Sequence, residues 1–293
     1  MLGLDPDPSA LWPVAVEAGA APGDSAAEAT LGDAAVLTAA AVERHCRAAI
    51  DAAGPSCVAV KPQLACFERL GAPGWAALAA VVEATHEAGL LLIADAKRGD
   101  VPVTARAYAQ ALVGETPGPY GSVPGLGADA FTANPMLGRD ALAPLLDAAA
   151  EKGAGCFVLV RTSNPGAAEI QDGPPGDPLH ERLARIVDEL GADARGESGL
   201  SSVGAVTGAT RPDLLERLRE LMPAAIFLLP GVGAQGGSVA DLGAAFATHP
   251  AGGLIASSRS IVGAYADRGG DPAAAAAAAA EELRAAAWSA ATG

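Results

Sequence analysis

Short apolar runs alternate with longer amphipathic or alanine-rich stretches along the whole chain. Eight of the apolar runs have the length of buried strands: residues 2–5, 57–61, 90–95, 128–133, 156–161, 203–207, 225–229 and 253–256. The helical stretches that follow them cover residues 33–53, 74–88, 101–113, 138–151, 178–192, 211–221, 238–247 and 272–288. This alternation is typical of repeated strand–helix units built around a parallel sheet.

Eight such units in a chain of 293 residues favour a closed (β/α)8 barrel, an α/β fold, over an open doubly wound sheet. No linker divides the chain, because the Pro/Gly-rich stretches at 13–24, 114–127 and 172–178 are short enough to be loops between units. We therefore predict that residues 1–293 form a single barrel domain.

Charge and cysteine usage narrow the partners and the compartment. A formal net charge of -15 disfavours nucleic acid or an anionic membrane as the main partner. The chain has four cysteines without a Cys-x-x-Cys pair, and they resemble reduced core residues: Cys46, Cys57, Cys66 and Cys156. The start of the chain has no signal-peptide pattern, and no window offers 18 consecutive apolar residues. We expect a soluble, cytoplasmic protein.

A barrel predicts that residues with chemical roles collect at the carboxyl ends of its strands. Polar residues do follow the predicted strands: Asp5, Lys61, Asp95 to Asp100, Asn134, Arg161 to Asn164, Thr207-Gly208, Pro230-Gly231 and Ser257-Ser258-Arg259. Each alone could be a turn residue or a strand terminus with its charge in water. Their convergence from several strands favours a functional site.

The hexapeptide Asp95-Ala96-Lys97-Arg98-Gly99-Asp100 directly follows the apolar run 90–94. Two carboxylates about 4 Å apart repel by roughly 4 kcal/mol at an effective dielectric near 20, and a lysine between them relieves that repulsion. A structural ion-pair network at a strand end would have the same composition. The motif predicts either such a network or a lysine–carboxylate catalytic array.

The loops after the last two strands have the pattern of a phosphate site. A Gly-rich loop over residues 230–237 follows the seventh strand, and Ser257-Ser258-Arg259 follows the eighth. Barrels often hold phosphate there with backbone amides and one cation. Gln235 could donate an amide hydrogen bond and Arg259 a bidentate contact, although glycines also simply permit tight turns.

The four histidines fall in predicted helices or their flanks, away from the strand ends: His45, His86, His180 and His249. We expect them at the surface. A histidine base, a His-rich metal site and a Ser-His-Asp arrangement are therefore disfavoured. The chemistry should depend on lysine and carboxylate.

Several motifs in the same order along the chain resemble those of orotidine 5'-phosphate decarboxylase, most closely its longer subgroup. They are Gly3 to Pro6, Lys61-Pro62-Gln63, Asp95-x-Lys97-x-x-Asp100, Arg161 to Gly166, Pro230 to Gly237 and Ser257 to Ser260. The resemblance implies conversion of orotidine 5'-monophosphate to UMP and carbon dioxide, the last step of de novo UMP synthesis. It implies neither a metal nor an organic cofactor.

The resemblance also implies a role for each matching residue. Asp95 would lie against the substrate carboxylate, and Lys97 would stabilise and then protonate carbon 6 of the pyrimidine. The other implied site residues are Asp5 and Lys61 at the ribose or in the charged network, Ser163 at the pyrimidine edge, Gln235 and Arg259 at the phosphate, and Pro230 and Ser258 beside them. Asp100 and Thr104 would come from a neighbouring subunit, which implies a homodimer with two shared active sites.

Two other functions remain open. Magnesium-dependent sugar-phosphate decarboxylases and aldolases related to 3-keto-gulonate 6-phosphate decarboxylase and hexulose phosphate synthase share the Asp-x-Lys-x-x-Asp motif, but Lys61 stands where they use an acidic residue for the metal. A silent barrel that binds nucleotide phosphate is the third possibility. Phosphate binding alone would not require Asp95, Lys97 and Asp100 together.

Overall fold

A computed structural model describes residues 1–17 and 31–293. The strands are β1 (Leu2–Leu4), β2 (Ala59–Pro62), β3 (Leu91–Arg98), β4 (Glu115–Gly118), β5 (Gly121–Pro124), β6 (Ala130–Ala133), β7 (Gly155–Arg161), β8 (Ser201–Thr207), β9 (Ala225–Leu229) and β10 (Gly253–Ile255). The α-helices are α1 (Pro13–Glu17), α2 (Leu31–Ala53), α3 (Leu64–Glu68), α4 (Ala72–Glu87), α5 (Pro102–Leu112), α6 (Arg139–Lys152), α7 (Ala167–Gln171), α8 (Leu179–Gly191), α9 (Leu215–Leu221), α10 (Arg259–Val262), α11 (Tyr265–Arg268) and α12 (Pro272–Thr292). Short 3-10 helices cover Gly54–Ser56, Ala192–Ala194, Pro212–Leu214 and Val239–Phe246.

The chain divides into two compact units. The first comprises Met1–Asp95 and Ser258–Glu282, and the second comprises Ala96–Ser257 and Leu283–Gly293. The single domain over residues 1–293 therefore stays a prediction.

In the first unit β2 lies between β1 and β3, and all three strands are parallel. The apolar side chains of these short runs are buried, including Leu2, Leu4, Val60 and Leu92. Helices α2 and α4 pack against each other. Burial of strands on both faces explains why these runs show no alternation before the charged residues at their carboxyl ends.

In the second unit β6, β7, β8, β9 and β10 are parallel neighbours in chain order, and β6 lies beside the carboxyl end of β3. The crossing from β6 to β7 runs through α6, which has Asp140 in its first turn and ends at Lys152 before the left-handed Gly153. The negative charge at the amino end and the positive charge at the carboxyl end both interact favourably with the helix dipole. The glycine ends the helix without a steric cost. Eight parallel strands in chain order, separated by helices, are the topology of a (β/α)8 barrel.

All eight predicted strands occur at the expected places, and three predictions about the segments between them are wrong. Residues 114–127 are not simply a loop, because β4 and β5 form an antiparallel hairpin whose turn is residues 119–120. Residues 238–247 form a 3-10 helix rather than an α-helix. The stretch 13–24 begins with α1, and its residues 18–24 lie outside the described part of the chain. The stretch 172–178 is a loop, as predicted.

The burial of two histidines also corrects the sequence analysis. His45 and His180 are 3% and 5% exposed, whereas His86 is at the surface and His249 is half-buried. His45 Nδ1 accepts a hydrogen bond from the Trp12 amide at 3.1 Å, and burial lowers the pKa of His45 to about 4. It is therefore a neutral core residue. The four cysteines are free; Cys46 and Cys156 are buried, and Cys57 and Cys66 are partly buried.

Among the described residues, no helix combines the length and the apolar character that crossing a membrane requires.

A buried arginine joins the amino ends of the last strands. Arg219 is 4% exposed and stacks on Phe227, with its guanidinium carbon 3.7 Å from the ring centroid. Its two terminal nitrogens donate to four backbone carbonyls, those of Met222, Ala225, Ala245 and Gly252, at 2.6 to 2.9 Å. Burial lowers the pKa of Arg219 to about 10, so the side chain stays charged at neutral pH.

We predict that Arg219→Ala lowers the free energy of unfolding by about 3 kcal/mol or more, because four buried carbonyls lose their donor. The midpoint of urea denaturation measures this change. Arg217→Ala is the matched control, since Arg217 lies on the same helix but pairs with Glu181 and Glu220 at the surface. Equal midpoints for the two variants would contradict the role given to Arg219.

Candidate active site

A buried ion pair lies at the carboxyl ends of β2 and β3. Lys61 and Asp95 are 7% and 6% exposed, and Lys61 Nζ lies 2.5 Å from Asp95 Oδ2. Gln63, paired in register with Asp95, donates to the same oxygen at 3.2 Å. Taking two charges out of water is costly, and an apolar pair of similar volume is often as stable. A buried pair at a strand end is therefore better explained by chemistry than by stability.

Asp5 follows β1 at this same end of the sheet and is exposed. β1 pairs with β2 so that Gly3 lies opposite Lys61 and Leu4 opposite Pro62, and Asp5 and Lys61 therefore stand at neighbouring strand ends. Burial and then the charge of Asp5 raise the pKa of Cys66, whereas Arg69 and Lys61 lower it. Asp5, Lys61 and Asp95 lie at the carboxyl ends of three neighbouring parallel strands, and we call these three residues the charged cluster of the first unit. The half-buried Ser258 and the exposed Arg259, at the start of α10, belong to the first unit too.

Lys97 has an unusual backbone. Its φ is +49°, and among the described residues no other non-glycine residue has a positive φ. A lysine in the left-handed region is strained, and such strain is often found at functional sites. The Lys97 amide donates to Thr132 Oγ1 at 2.8 Å, and the residue is exposed. The sequence motif gave no sign of this conformation.

The end of the motif is shaped by close contact with β6. A Cβ atom on Gly99 would lie 2.4 Å from the carbonyl oxygen of Asn134, so only glycine fits there. Asp100 is half-buried, and its Oδ1 accepts a hydrogen bond from the Val101 amide at 2.7 Å. Thr104 is exposed in the first turn of α5. Asp100 and Thr104 are thus presented together at the start of this helix.

The loops after β7, β8 and β9 enclose a cavity of about 670 Å³, and its lining includes Ser163, Thr210 and Gln235. These loops meet at Gly231, which has φ +103°. A Cβ atom there would lie 3.0 Å from Gln235 Oε1 and 3.2 Å from Ser163 Cβ. The structure therefore brings Ser163 and Gln235 together, with the half-buried Pro230 beside them in the chain.

Asp172 holds two of these loops, and the sequence analysis missed it. Arg161 donates to both Asp172 oxygens at 2.7 and 3.0 Å, and Arg211 donates to Oδ2 at 2.9 Å. Thr162 is tied to the same segment, because its amide donates to Gln171 Oε1 at 2.8 Å. The segment 162–172 carries Ser163. Arg161, which the sequence placed among the strand-end residues, is buried in this network.

Electrostatics keep this network charged near neutral pH. Hydrogen bonds from Arg161 are the main cause that holds the pKa of Asp172 below its usual 3.8; burial opposes them and the charge of Arg211 adds to them. A lowered carboxyl pKa stabilises the folded state above 3.8, and this stabilisation is lost as the pH falls through the lowered value. The loop that carries Ser163 is therefore braced throughout the neutral range.

Within residues 1–17 and 31–293, no group of three or more His, Cys, Asp or Glu side chains is placed to hold a metal ion.

Comparison with known proteins gives the family. The model of the orotidine 5'-phosphate decarboxylase / HUMPS family matches residues 18–279. The chain belongs to this family. It is 43% identical over 231 residues to the orotidine 5'-phosphate decarboxylase of Rhodopirellula baltica, covering 78% of this chain and 74% of that relative. It is equally identical over 212 residues to the enzyme of that name from Deinococcus radiodurans, covering 72% of this chain and 74% of the relative.

Solved structures agree. The OMP decarboxylase of Leishmania donovani is 34% identical with a TM-score of 0.67, covering 85% of this chain and 89% of the other. A putative orotidine 5'-phosphate decarboxylase from Streptomyces avermitilis is 35% identical with a TM-score of 0.72, covering 87% of this chain and 84% of the other. The predicted (β/α)8 barrel and the predicted family are confirmed.

The Asp172 network leads to a test within this family member. We predict that Asp172→Asn speeds amide hydrogen exchange in segment 162–172 about tenfold or more, because hydrogen bonds to a charged group contribute ~1.5–3 kcal/mol. Asp213→Asn is the matched control. Asp213 binds Arg211 from the exposed side at 2.7 Å, and its loss should leave that segment protected. The role of Asp172 would be refuted by equal exchange in both variants.

Proposed function

We propose that the protein decarboxylates orotidine 5'-monophosphate to UMP and carbon dioxide, the last step of de novo UMP synthesis, with Lys97 as the proton donor. The observation that carries this proposal is the charged end of β3, where Asp95 is buried against Lys61 and the strained Lys97 follows two residues later. The relatives that share the name orotidine 5'-phosphate decarboxylase support it.

Lysine usage in this chain gives the proposal further support. The sequence contains three lysines but 16 arginines, and two of the three lysines are Lys61 and Lys97. Arginine provides most of the positive charge elsewhere, yet its guanidinium stays protonated in proteins. A lysine ammonium can give up a proton when its surroundings favour it. Lysines at these two strand ends therefore fit a reaction that moves a proton.

Asp95 and Lys97 have different roles in the proposed reaction. Asp95 faces the substrate carboxylate, and the two anions repel each other in the ground state. When the bond from carbon 6 to the carboxylate breaks, carbon dioxide leaves and the electron pair stays on carbon 6. The Lys97 ammonium stabilises that charge and transfers its proton to carbon 6, and the amine regains a proton from water. The repulsion is relieved as carbon dioxide leaves, and the attraction to the ammonium grows as charge develops on carbon 6, so both effects favour the transition state over bound substrate.

The remaining site residues bind the parts of the substrate that do not react. Asp5 and Lys61 bind the ribose hydroxyls and complete the charged cluster, and Ser163 reads the pyrimidine edge. The phosphate is bound by Gln235 and Arg259, with Pro230 and Ser258 in the same two loops. Residues 233–236 are exposed, and Gly231, Gly233 and Gly236 have positive φ. This loop can therefore close over the phosphate and exclude water.

The protein works as a homodimer with two shared active sites, in which Asp100 and Thr104 reach the substrate bound by the partner. Apolar side chains around these two residues support this part of the proposal. Val101 and Val103 are 54% and 84% exposed on the same stretch of chain. Large exposed apolar side chains are typical of a surface that another chain covers. Nucleic acid and membranes are not partners, and the reaction takes place in the cytoplasm.

The alternative is the activity of the magnesium-dependent sugar-phosphate enzymes, because the matching family includes HUMPS as well as orotidine 5'-phosphate decarboxylase. Those enzymes need an acidic residue near Asp95 to hold the metal. Here Lys61 Nζ lies 2.5 Å from Asp95 Oδ2, which puts a positive charge where the cation would bind. Lys61 therefore favours the metal-independent reaction.

We predict that wild-type protein treated with EDTA removes the ultraviolet band of orotidine 5'-monophosphate, and that Lys97→Ala slows this by about 10³-fold or more because the proton donor is lost. Lys152→Ala is the matched control, since Lys152 pairs with Glu115 at the surface. If the wild type is inactive until magnesium and a sugar phosphate are supplied, the magnesium-dependent activity is correct. Binding of UMP without any turnover indicates a silent barrel.

Shared active sites predict that two inactive variants complement each other. A heterodimer of Lys97→Ala and Asp100→Ala subunits has one site with both defects and one site with neither. Random mixing should therefore restore about a quarter of wild-type activity, because half of the dimers are mixed and each has one intact site. Activity is measured after the two proteins are unfolded and refolded together. No recovery beyond the sum of the separate variants would contradict a shared site.

A further inference from the structure

The strained conformation of Lys97 requires neighbours that hold it. A non-glycine residue at φ +49° is in a sparsely populated region and persists only when its surroundings fix it there. If those contacts were lost, the backbone would return to negative φ and swing the side chain away. The residue that holds this backbone therefore controls where the ammonium lies.

Strand β6 provides the holding contacts for the end of β3. Thr132 Oγ1 accepts a hydrogen bond from the Lys97 amide at 2.8 Å. The next residue, Arg98, accepts one from the Asn134 amide at 2.8 Å through its carbonyl oxygen. Gly99 lies against the Asn134 carbonyl so closely that no Cβ atom would fit. Two residues of the β6 end thus contact three consecutive residues of the motif.

Thr132 differs from the other contacts in acting through its side chain. It is 1% exposed, and all four residues of β6 are buried. The buried partner in this hydrogen bond is the Thr132 hydroxyl, whereas Lys97 itself is exposed. The bond to this hydroxyl favours the backbone that points the Lys97 amide toward it. The β-branched side chain also has few rotamers, which fixes the position of the oxygen.

We propose that Thr132 is a positioning residue for the decarboxylation, and that its hydroxyl oxygen holds Lys97 in the strained backbone needed for proton transfer to carbon 6. This inference rests on the proposed role of Lys97 as proton donor. The donor must lie within hydrogen-bond reach of the carbon that it protonates. A displacement of about 1 Å at such a group can slow a reaction ~100-fold.

Three substitutions at this position separate the hydroxyl from the packing. Thr132→Val keeps the shape and removes the acceptor, whereas Thr132→Ser keeps the acceptor and removes a methyl group. Thr132→Ala differs from the serine variant by the hydroxyl alone. We expect kcat and kcat/KM to fall together by about 100-fold in the valine and alanine variants. The serine variant should retain activity near that of the wild type, and UMP should bind all four proteins equally well.

Thr85→Val is the matched control for loss of a buried threonine hydroxyl. Thr85 is fully buried, and its hydroxyl donates to the Val81 carbonyl at 2.8 Å within α4, so only stability should change. Thermal unfolding of every variant ensures that rates are compared on folded protein. If the valine variant does not fold, the serine and alanine variants still report on the hydroxyl.

The outcomes distinguish this inference from the proposed function. Equal rates for Thr132→Ser and Thr132→Ala would overturn the positioning role, as would a valine variant that is as fast as the wild type. A change confined to KM or to UMP affinity would also overturn it. If wild-type protein does not decarboxylate orotidine 5'-monophosphate, the proposed function fails first, and the variants are then compared for φ at residue 97 by crystallography. A left-handed Lys97 in the valine and alanine variants would refute the structural part as well.

Discussion

The buried ion pair between Lys61 and Asp95 is the interaction on which the candidate site depends. A carboxylate with 6% exposure at the end of a strand requires a nearby positive charge, and Lys61 provides it at 2.5 Å. Once Asp95 is held in this way, the strand that carries it delivers Lys97 two residues later. Because burying two charges is costly, this pair is better explained by the proposed reaction than by stability.

Contacts in the second unit hold loops and backbone in conformations that the chain would not otherwise prefer. The β6 end holds the left-handed Lys97 and the tightly packed Gly99. Asp172 holds the segment that carries Ser163 through two arginines. In both places a buried or partly buried polar contact fixes a residue that the proposed function places at the substrate. Rigid support of this kind is what precise positioning requires.

The charge distribution suits a small anionic substrate in an acidic protein. The chain has a net charge of -15, which would repel a nucleotide phosphate from most of its surface. The cationic side chains assigned to the substrate follow strands of the sheet: Lys61, Lys97 and Arg259. In the proposed function, local positive charge at the strand ends therefore matters more for substrate binding than the overall charge does.

The sequence by itself determined the architecture, because hydrophobic periodicity is a local property. The apolar pattern of each strand, and of each helix, can be recognised within a window of about 15 residues. The parallel barrel then follows from the number and order of these elements. The strand-end residues could be listed for the same reason. Short helices such as α3 and α7 were not predicted, because five residues are too few to show a helical period. The β4–β5 hairpin escaped because its Gly and Pro residues resemble a loop.

Only the tertiary structure decided how those strand-end residues are held. The partner of Asp95 is 34 residues away in the sequence, and the acceptor for the Lys97 amide is 35 residues away. The burial of His45 likewise depends on Trp12, which lies 33 residues before it. No local pattern encodes such pairs, since they form only when separate strands and helices become neighbours. The sequence therefore predicted the candidate reacting groups, and the fold decided their backbone conformation and their hydrogen-bond and ion-pair partners.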